Sequence, residues 1–497
     1  MHTTIANNKV VYCVGSKEDY TSLLCCGKLD EFEEMNIKYL GKRIDENSVS
    51  LSCVLLMNLD IDNIAYCIVH KIEHLLFFYN QLIITEEDSE IILDYLEDEY
   101  LKKADYSKIK QTNIIRLVFE IRRKETILKS KPIHLQIEHT TFCNARCIMC
   151  DHYIAHNRNS KHLKLSTLQS IESLLPYVST VIMHGNGEPL LNPDIIKIFD
   201  LYKKYHVKTS LNTNLSFVDE DILSAIRDNC ISIHVSCDGS NEKQYESIRQ
   251  GLSYSTFKSN LKKLSISCPG VEKVLEVVLM RQNIRNTEQF VWLAYDHGFN
   301  KVIFNSLGCN KWIGNDEDGL HNYTFTANYY CHTAKELGKR LEIHVITPFD
   351  NNTLLIKKDL LDINGRHPSI KDSDFLYKKY PWYTNVIAFE RINRYDLSCI
   401  NPLKITDRYE GICEYPFAKS YINLSGRVSF CCSTSRKIVD IVSFEKSFDE
   451  IWNGTEYQKL RETFYCGELP QICSDCCFIK NNSLKFLSLN QKKGDGE

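Results

Sequence analysis

The sequence predicts an α/β protein in which a partial (β/α)6 barrel stands between a small α/β domain and a short, cysteine-dense C-terminal unit. Three observations predict it. Strand and helix patterns alternate from Pro132 to about Glu342, the 497 residues are too many for one ordinary core, and the 21 cysteines include two tight groups. Apolar residues at 43% and charged residues at 25% suit a packed interior. Lys plus Arg at 60 against Asp plus Glu at 64 gives a net charge of −4, so the basic field that holds nucleic acid is missing and no nucleic acid partner is expected. The chain has no run of about 18 apolar residues. Met1 to Val14 also lacks the charged and apolar regions of a signal peptide, so a cytoplasmic protein with no membrane partner is expected. In such a reducing compartment, clustered cysteines are metal or cluster ligands before they are disulfides.

Residues 1–128 form the first unit, an α/β domain of unassigned role that has the size to dock a substrate or partner. Lys9 to Gly15 and Val49 to Met57 read as short buried strands, being apolar, β-branched and bounded by Gly or polar residues. Thr85 with Asp88 resembles a capping signal, and Ile91, Ile92, Tyr95, Leu96 and Tyr100 follow at helical spacing. The acidic run Glu86 to Glu99 reads as a solvated helix face.

Residues 129–345 are the barrel. Its strands are expected at Ile133 to Glu138, Thr180 to His184, Lys208 to Asn212, Ile231 to Ser236, Val274 to Leu279 and Lys301 to Phe304. Amphipathic stretches at Leu168 to Leu175, Ile195 to Tyr205, Asp219 to Ile226 and Phe257 to Leu264 supply the crossovers. In such folds the chemistry gathers at the C-terminal ends of the strands. Residues 346–405 show no period and read as a connector, 406–482 as the cysteine-rich unit, and 483–497 as a tail. The cysteine-rich unit has few apolar residues for its length, so a metal or cluster staple would explain its folding.

Directly after the first barrel strand stands Cys143-Asn-Ala-Arg-Cys147-Ile-Met-Cys150. Three thiolates in one short loop can wrap a 4Fe-4S cubane and leave its fourth iron without a protein ligand. His152 or His156 as a fourth ligand would instead make a closed zinc site. This CxxxCxxC triplet and its place in a six-unit barrel resemble the radical S-adenosylmethionine (SAM) superfamily. In that family an aromatic residue often stands where this chain has Met149, near the adenine.

The resemblance extends along the barrel. Gly185-Asn186-Gly187-Glu188-Pro189 is similar to the family's GGEP loop, which implies that its backbone and Glu188 hold the amino group of SAM. Asn212 and Asn214 end the third strand, and Ser236, followed by Cys237, Asp238 and Gly239, ends the fourth; both ends lie at the functional rim, and the resemblance implies that Asn212, Asn214 and Ser236 bind the cofactor. The family places its fourth-strand serine on the cofactor ribose or carboxylate. Arg249 resembles the arginine that pairs with the SAM carboxylate through its planar fork.

In the C-terminal unit Cys413 is followed by Pro416, Gly426, Cys431-Cys432 and finally Cys473-Ser-Asp-Cys476-Cys477. By spacing alone this is a zinc knuckle or a cluster site. The whole pattern resembles the SPASM and twitch extensions of radical SAM enzymes, which implies an auxiliary 4Fe-4S cluster on Cys413, Cys431, Cys473 and Cys476. Cys432, Cys466 and Cys477 are competitors for those roles. With four thiolates such a cluster has no open iron and serves to move electrons.

Two 4Fe-4S clusters and SAM are thus the implied cofactors, with a flavodoxin or ferredoxin-type electron donor. The implied reaction is reductive cleavage of SAM to a 5′-deoxyadenosyl radical that abstracts hydrogen from a substrate C–H bond. Cys237 and Cys309 lie near strand ends and are candidates to return a hydrogen atom; a packed thiol is the plainer reading of each. The substrate expected is a ribosomally made peptide or protein, matured by oxidation, cross-linking or epimerisation. A twitch-type dehydrogenase oxidising a carbinol of a sugar, aminocyclitol or other small metabolite is the alternative. A zinc-stapled, non-catalytic binding protein is the alternative of another class.

Overall fold

The computed structural model describes residues 10–14, 36–41, 53–56, 74–79, 82–85, 89–150, 161–307, 319–320, 324–348, 412–413, 415–431, 447–466, 473 and 486–487. Near the N-terminus, β1 (Val10–Val14), β2 (Asn36–Gly41), β3 (Cys53–Leu56), β4 (His74–Tyr79) and β5 (Leu82–Thr85) form a sheet of order β2-β1-β3-β4-β5. It is parallel apart from the β4–β5 pair. The two expected strands are β1 and β3. Thr85 does not cap a helix; it closes β5, and α1 (Glu90–Lys102) starts from Ser89, which makes no side-chain cap bond.

Helix α2 (Tyr106–Arg122) is capped by Asp105, whose carboxylate accepts from the Lys108 amide. Its Arg116, only 2% exposed, donates to Glu90, Asp94 and Glu97 of α1 at 2.5, 2.8 and 2.8 Å. This corrects the reading of the acidic run as a purely solvated face: three of its acids neutralise one buried guanidinium, which would otherwise be a costly isolated charge. Lys110 reaches the barrel, donating to the carbonyls of Tyr205 and His206 at 2.6 and 2.7 Å.

Six barrel strands occur where the pattern put them: β6 (His134–Ile137), β8 (Thr180–Met183), β9 (Lys208–Thr213), β10 (Cys230–Ser236), β12 (Glu272–Leu279) and β13 (Lys301–Ser306). Two short strands between them, β7 (Arg146–Cys147) and β11 (Arg249–Gln250), pair with each other. All five neighbouring pairs among these six strands are parallel, and a further parallel strand, β14 (His344–Ile346), adds beyond β13. Helices α3 (Leu165–Gln169), α4 (Ile195–Lys204), α5 (Glu220–Asn229), α6 (Glu242–Ile248), α7 (Tyr254–Ser267), α8 (Thr287–Asp296) and α9 (Thr324–Leu341) supply the connections. The single helix expected at Leu168 to Leu175 is instead α3 followed by a 3-10 turn at Glu172–Leu174.

Strand alternation decides what each face holds. Leu135, Ile137, Val181, Met183, Leu211, Ile233, Val235, Leu275, Val277, Val302 and Phe304 are at most 1% exposed and belong to the one large core cluster. The opposite face carries Gln136, Ser210, Asn212, Ser232, His234, Ser236 and Glu276, in register across β6 to β12. A polar face turned inward in an open barrel is the place for polar contact with a bound molecule.

The C-terminal unit is not a separate core. Strand β15 (Ile412–Cys413) pairs with β18 (Phe486–Leu487), and α10 (Tyr415–Ala418) leads into β16 (Lys419–Ile422), which adds in parallel to β6, with β17 (Val428–Ser429) antiparallel outside it. Helix α11 (Phe448–Trp452), which carries a full capping box from Ser447 and Glu450, and α12 (Thr455–Tyr465) grip residues 125–131. Trp452 donates its indole N–H to the Ser130 carbonyl at 2.9 Å, and Asn453 exchanges two 2.8 Å hydrogen bonds with the Leu128 backbone. Phe417, Ile422, Trp452 and Tyr457 share the barrel's core cluster, so this unit folds on apolar contact with the barrel as well as on any metal.

Candidate active site

The thiol loop leaves β6 at Glu138 and is tied down before it reaches its first cysteine. Thr140 Oγ1 donates to the Lys161 carbonyl at 3.0 Å, and Thr140 accepts from the Phe142 amide at 2.9 Å. Further on, Cys147 stands opposite Arg249 in the β7–β11 pair, and the Cys150 amide returns to the Cys147 carbonyl at 3.0 Å. Cys143 and Cys150 are half-buried, Cys147 is buried, and Met149 packs with them against the core.

The donor set suits an iron–sulfur centre. Burial, seconded by the charges of Glu188, Cys147 and Cys150, pushes the Cys143 thiol up to about 12, against a smaller opposing pull from the Ala145 amide. Burial likewise raises the Cys147 thiol, with the Arg249 charge working against it. Thiols that disfavour one another's ionisation are relieved by a cationic centre that takes up all their charge. Among the described residues, no three His, Cys, Asp or Glu side chains already stand together as a metal-ligand group. The three thiols share a region without being drawn to a point.

The Gly185–Pro189 loop lies against this segment. A Cβ on Gly187 would fall 2.6 Å from the Phe142 carbonyl oxygen and closer still to that of Thr140, so glycine is required by close approach rather than by φ. The Glu188 amide donates to that Phe142 carbonyl at 2.8 Å. Glu188 is 3% exposed, and its carboxylate accepts from Thr213 Oγ1 and the Asn214 amide at 2.6 Å each and from the Leu190 amide at 3.2 Å. Burial raises its pKa against those three hydrogen bonds. Glu188 is therefore a brace between the loop and the end of β9, with its oxygens already engaged.

Glu138 is the residue that motif reading missed. One oxygen accepts from the Asn186 amide at 3.0 Å and from its side-chain nitrogen at 2.9 Å; the other accepts from the Leu424 amide at 3.2 Å. One buried carboxylate thus ties the glycine loop to the turn between β16 and β17. A carboxylate closing an apolar strand immediately before the triplet was the available signal.

Asn214 approaches Cys143 Sγ at 3.9 Å and donates to Asn144 Oδ1 at 3.1 Å. One amino group of Arg249 lies 2.7 Å from Asp238 Oδ2 and the other faces Cys147 Sγ at 3.9 Å, so the side chain backs the thiol loop. Asn212 is drawn to the barrel interior, donating to Glu276 Oε2 at 3.3 Å, while His234 Nδ1 bonds Glu276 Oε1 at 2.8 Å. Ser236 stands beside Glu276 in register. His184, just past β8, is exposed, and its Nδ1 lies 3.3 Å from Gln136 Nε2.

Cys237 is fully buried, donates to the Gly239 carbonyl at 3.3 Å and is pushed up to about 12, chiefly by burial. That is the arrangement of a packed thiol. Cys309 lies outside the described residues, as do His152, His156, Cys432, Cys476 and Cys477. Cys413, Cys431 and Cys473 are each half-buried, and Cys466 is exposed. No helix among the described residues is long and apolar enough to cross a membrane.

Two family profiles match the chain: the radical SAM superfamily over residues 137–291 and SPASM, an iron–sulfur cluster-binding domain, over residues 413–477. Mycofactocin maturase MftC of Mycobacterium ulcerans is 25% identical over 171 residues, 34% of this chain and 45% of that protein. PqqA peptide cyclase of Gluconobacter oxydans is 24% identical over 177 residues, 35% of this chain and 49% of that protein. The chain thus spans less than half the length of the curated relatives it matches. Among solved structures, Streptococcus suis SuiB bound to S-adenosylmethionine aligns with a TM-score of 0.48 at 14% identity, covering 79% of this chain and 83% of that one. Domains of the two matched kinds bind SAM with a 4Fe-4S cluster, and auxiliary iron–sulfur clusters, respectively. The thiol loop, the glycine loop packed on it and the later cysteines all fall inside the matched ranges: the chain contains a radical SAM domain over residues 137–291 and, on its C-terminal side, a SPASM domain over residues 413–477.

Proposed function

We propose that this enzyme uses SAM to take a hydrogen atom from a C–H bond of a ribosomally made peptide, maturing it by oxidation, cross-linking or epimerisation. In this reading Cys143, Cys147 and Cys150 hold the SAM-binding cluster, and Cys413, Cys431, Cys473 and Cys476 hold the auxiliary one. When bound, the first cluster and SAM supply reductive cleavage of the sulfonium and a hydrogen-abstracting radical. The chain's own residues do the rest. Gly185 to Glu188 shape the wall beside the thiol loop, and Glu138 and Glu188 fix that wall from behind. Glu276, His234 and Asn212 present the polar groups that orient a substrate in the barrel interior. A flavodoxin or ferredoxin-type protein is the proposed electron donor.

The observation that carries this reading is the packing of the Gly187 backbone onto the thiol loop within a chain that also holds a SPASM domain. The peptide substrate is favoured by two curated relatives, a maturase and a peptide cyclase by name. The test is to co-express the chain with a short peptide encoded beside it and weigh the product. Loss of hydrogens or deuterium uptake at a carbon supports the proposal. An unmodified peptide alongside turnover of a sugar or aminocyclitol would move the substrate to small carbinols.

A further inference from the structure

A buried charge pair behind the thiol loop has no part in the function proposed so far. Arg249, 7% exposed, stands opposite Cys147 in the β7–β11 pair. One amino nitrogen lies 2.7 Å from Asp238 Oδ2, and the other lies 3.9 Å from Cys147 Sγ. Its Nε is buried without a hydrogen-bond partner, and so is the hydroxyl of Tyr245, a fully buried residue of α6. Asp238 is itself completely buried and held in place: its Oδ1 accepts from the Val278 amide at 2.7 Å and its carbonyl accepts from Asn283 at 3.0 Å.

We propose that Asp238 and Arg249, with the Tyr245 hydroxyl, set the reduction potential of the cluster that Cys147 helps to hold. The proposal rests on Cys143, Cys147 and Cys150 being ligands of that cluster. Reduction adds one electron and no proton, so it adds one negative charge to an already anionic centre. A guanidinium against a ligand sulfur, shielded from water, favours that extra charge and raises the potential. Asp238 opposes it by cancelling part of the cation's field. The unused N–H of Arg249 and the hydroxyl of Tyr245 are donors left free for sulfur, and hydrogen bonds to cluster sulfurs act in the same direction as the cation. Arg249 and Asp238 therefore act as positioning residues for charge, with opposite signs.

The opposite signs make the test decisive. Full-length protein is reconstituted anaerobically with iron and sulfide and titrated with dithionite as the one-electron donor. Electron paramagnetic resonance follows the signal that changes when SAM is added, which separates this cluster from the auxiliary one. Asp238→Asn should raise the midpoint and Arg249→Gln should lower it. Each should change the reduced-to-oxidised ratio at fixed poise about tenfold, or about 59 mV for one electron. Tyr245→Phe should lower it by less, and this variant with Asp238→Asn suffices if Arg249→Gln does not fold. Unchanged midpoints, or Asp238→Asn and Arg249→Gln shifting the same way, would overturn the inference. Wild-type protein with no SAM-responsive cluster signal would instead overturn the ligand assignment on which it rests.

Discussion

Replacing Gly187 by alanine tests the packing of the glycine loop in isolation. The added Cβ would stand 2.6 Å from the Phe142 carbonyl oxygen, against 3.4 Å or more in ordinary contact, so the backbone must move by at least about 0.8 Å, and further to clear the nearer carbonyl oxygen of Thr140. Both atoms it meets first are backbone oxygens, which cannot swing aside as a side chain would. Overpacking of this kind costs about 1–3 kcal/mol. If the cost falls on the loop's binding-competent form, SAM affinity drops by roughly 5- to 150-fold. Equilibrium dialysis of SAM against reconstituted protein reads this directly, with iron content measured in parallel. Gly270→Ala is the control, because a Cβ there meets nothing within 4 Å. SAM affinity within twofold of wild type in Gly187→Ala would refute the reasoning that this glycine is there for close approach.

Asn453→Ala removes both hydrogen bonds to the backbone of Leu128, which is fully buried. Two stranded backbone groups should cost roughly 2–4 kcal/mol, read as a lower urea midpoint; an unchanged midpoint would show that the C-terminal helices do not brace residues 125–131. Glu276 gives a pH prediction. Burial works to raise its pKa, but the His234 hydrogen bond and charge, with His184 and Arg249, outweigh it and hold it below the ordinary 4.5. Its ionised form therefore adds stability above pH 4.5 that is lost as pH falls through the lower folded value. Glu276→Gln should melt below wild type at pH 7, and the gap should close on acidification. A gap that is constant from pH 7 to pH 3 would contradict this.

The barrel was legible in the sequence because its strands are short apolar runs separated by amphipathic helices, and each run carries its own local signal. Strand β14 is only three residues long, too brief for a period to register. Joining β16 to β6 could not be foreseen, because residues such as Ile422 and Ile137 lie far apart in sequence and only the folded register brings them together. The thiol triplet and glycine loop were readable as motifs, because backbone geometry demands their glycines and chemistry demands their cysteines. What surrounds them was not. Glu138 and Asp238 are ordinary acids in the sequence; their partners Asn186, Leu424 and Arg249 come from other strands and turns. Arg249 shows the same limit, since nothing in its motif announces the contact with Asp238. The acids of α1 looked solvated because the sequence does not reveal that Arg116 lies beneath them.

The central claim is that Cys143, Cys147 and Cys150 bind a cluster able to cleave SAM. The most direct measurement is 5′-deoxyadenosine released by anaerobically reconstituted protein given SAM and dithionite, compared with a Cys147→Ala variant prepared in the same way. Wild type is expected to release it, while the variant releases none and carries less iron and sulfide. Equal release from both, or none from wild type carrying a full complement of iron and sulfide, would contradict the account.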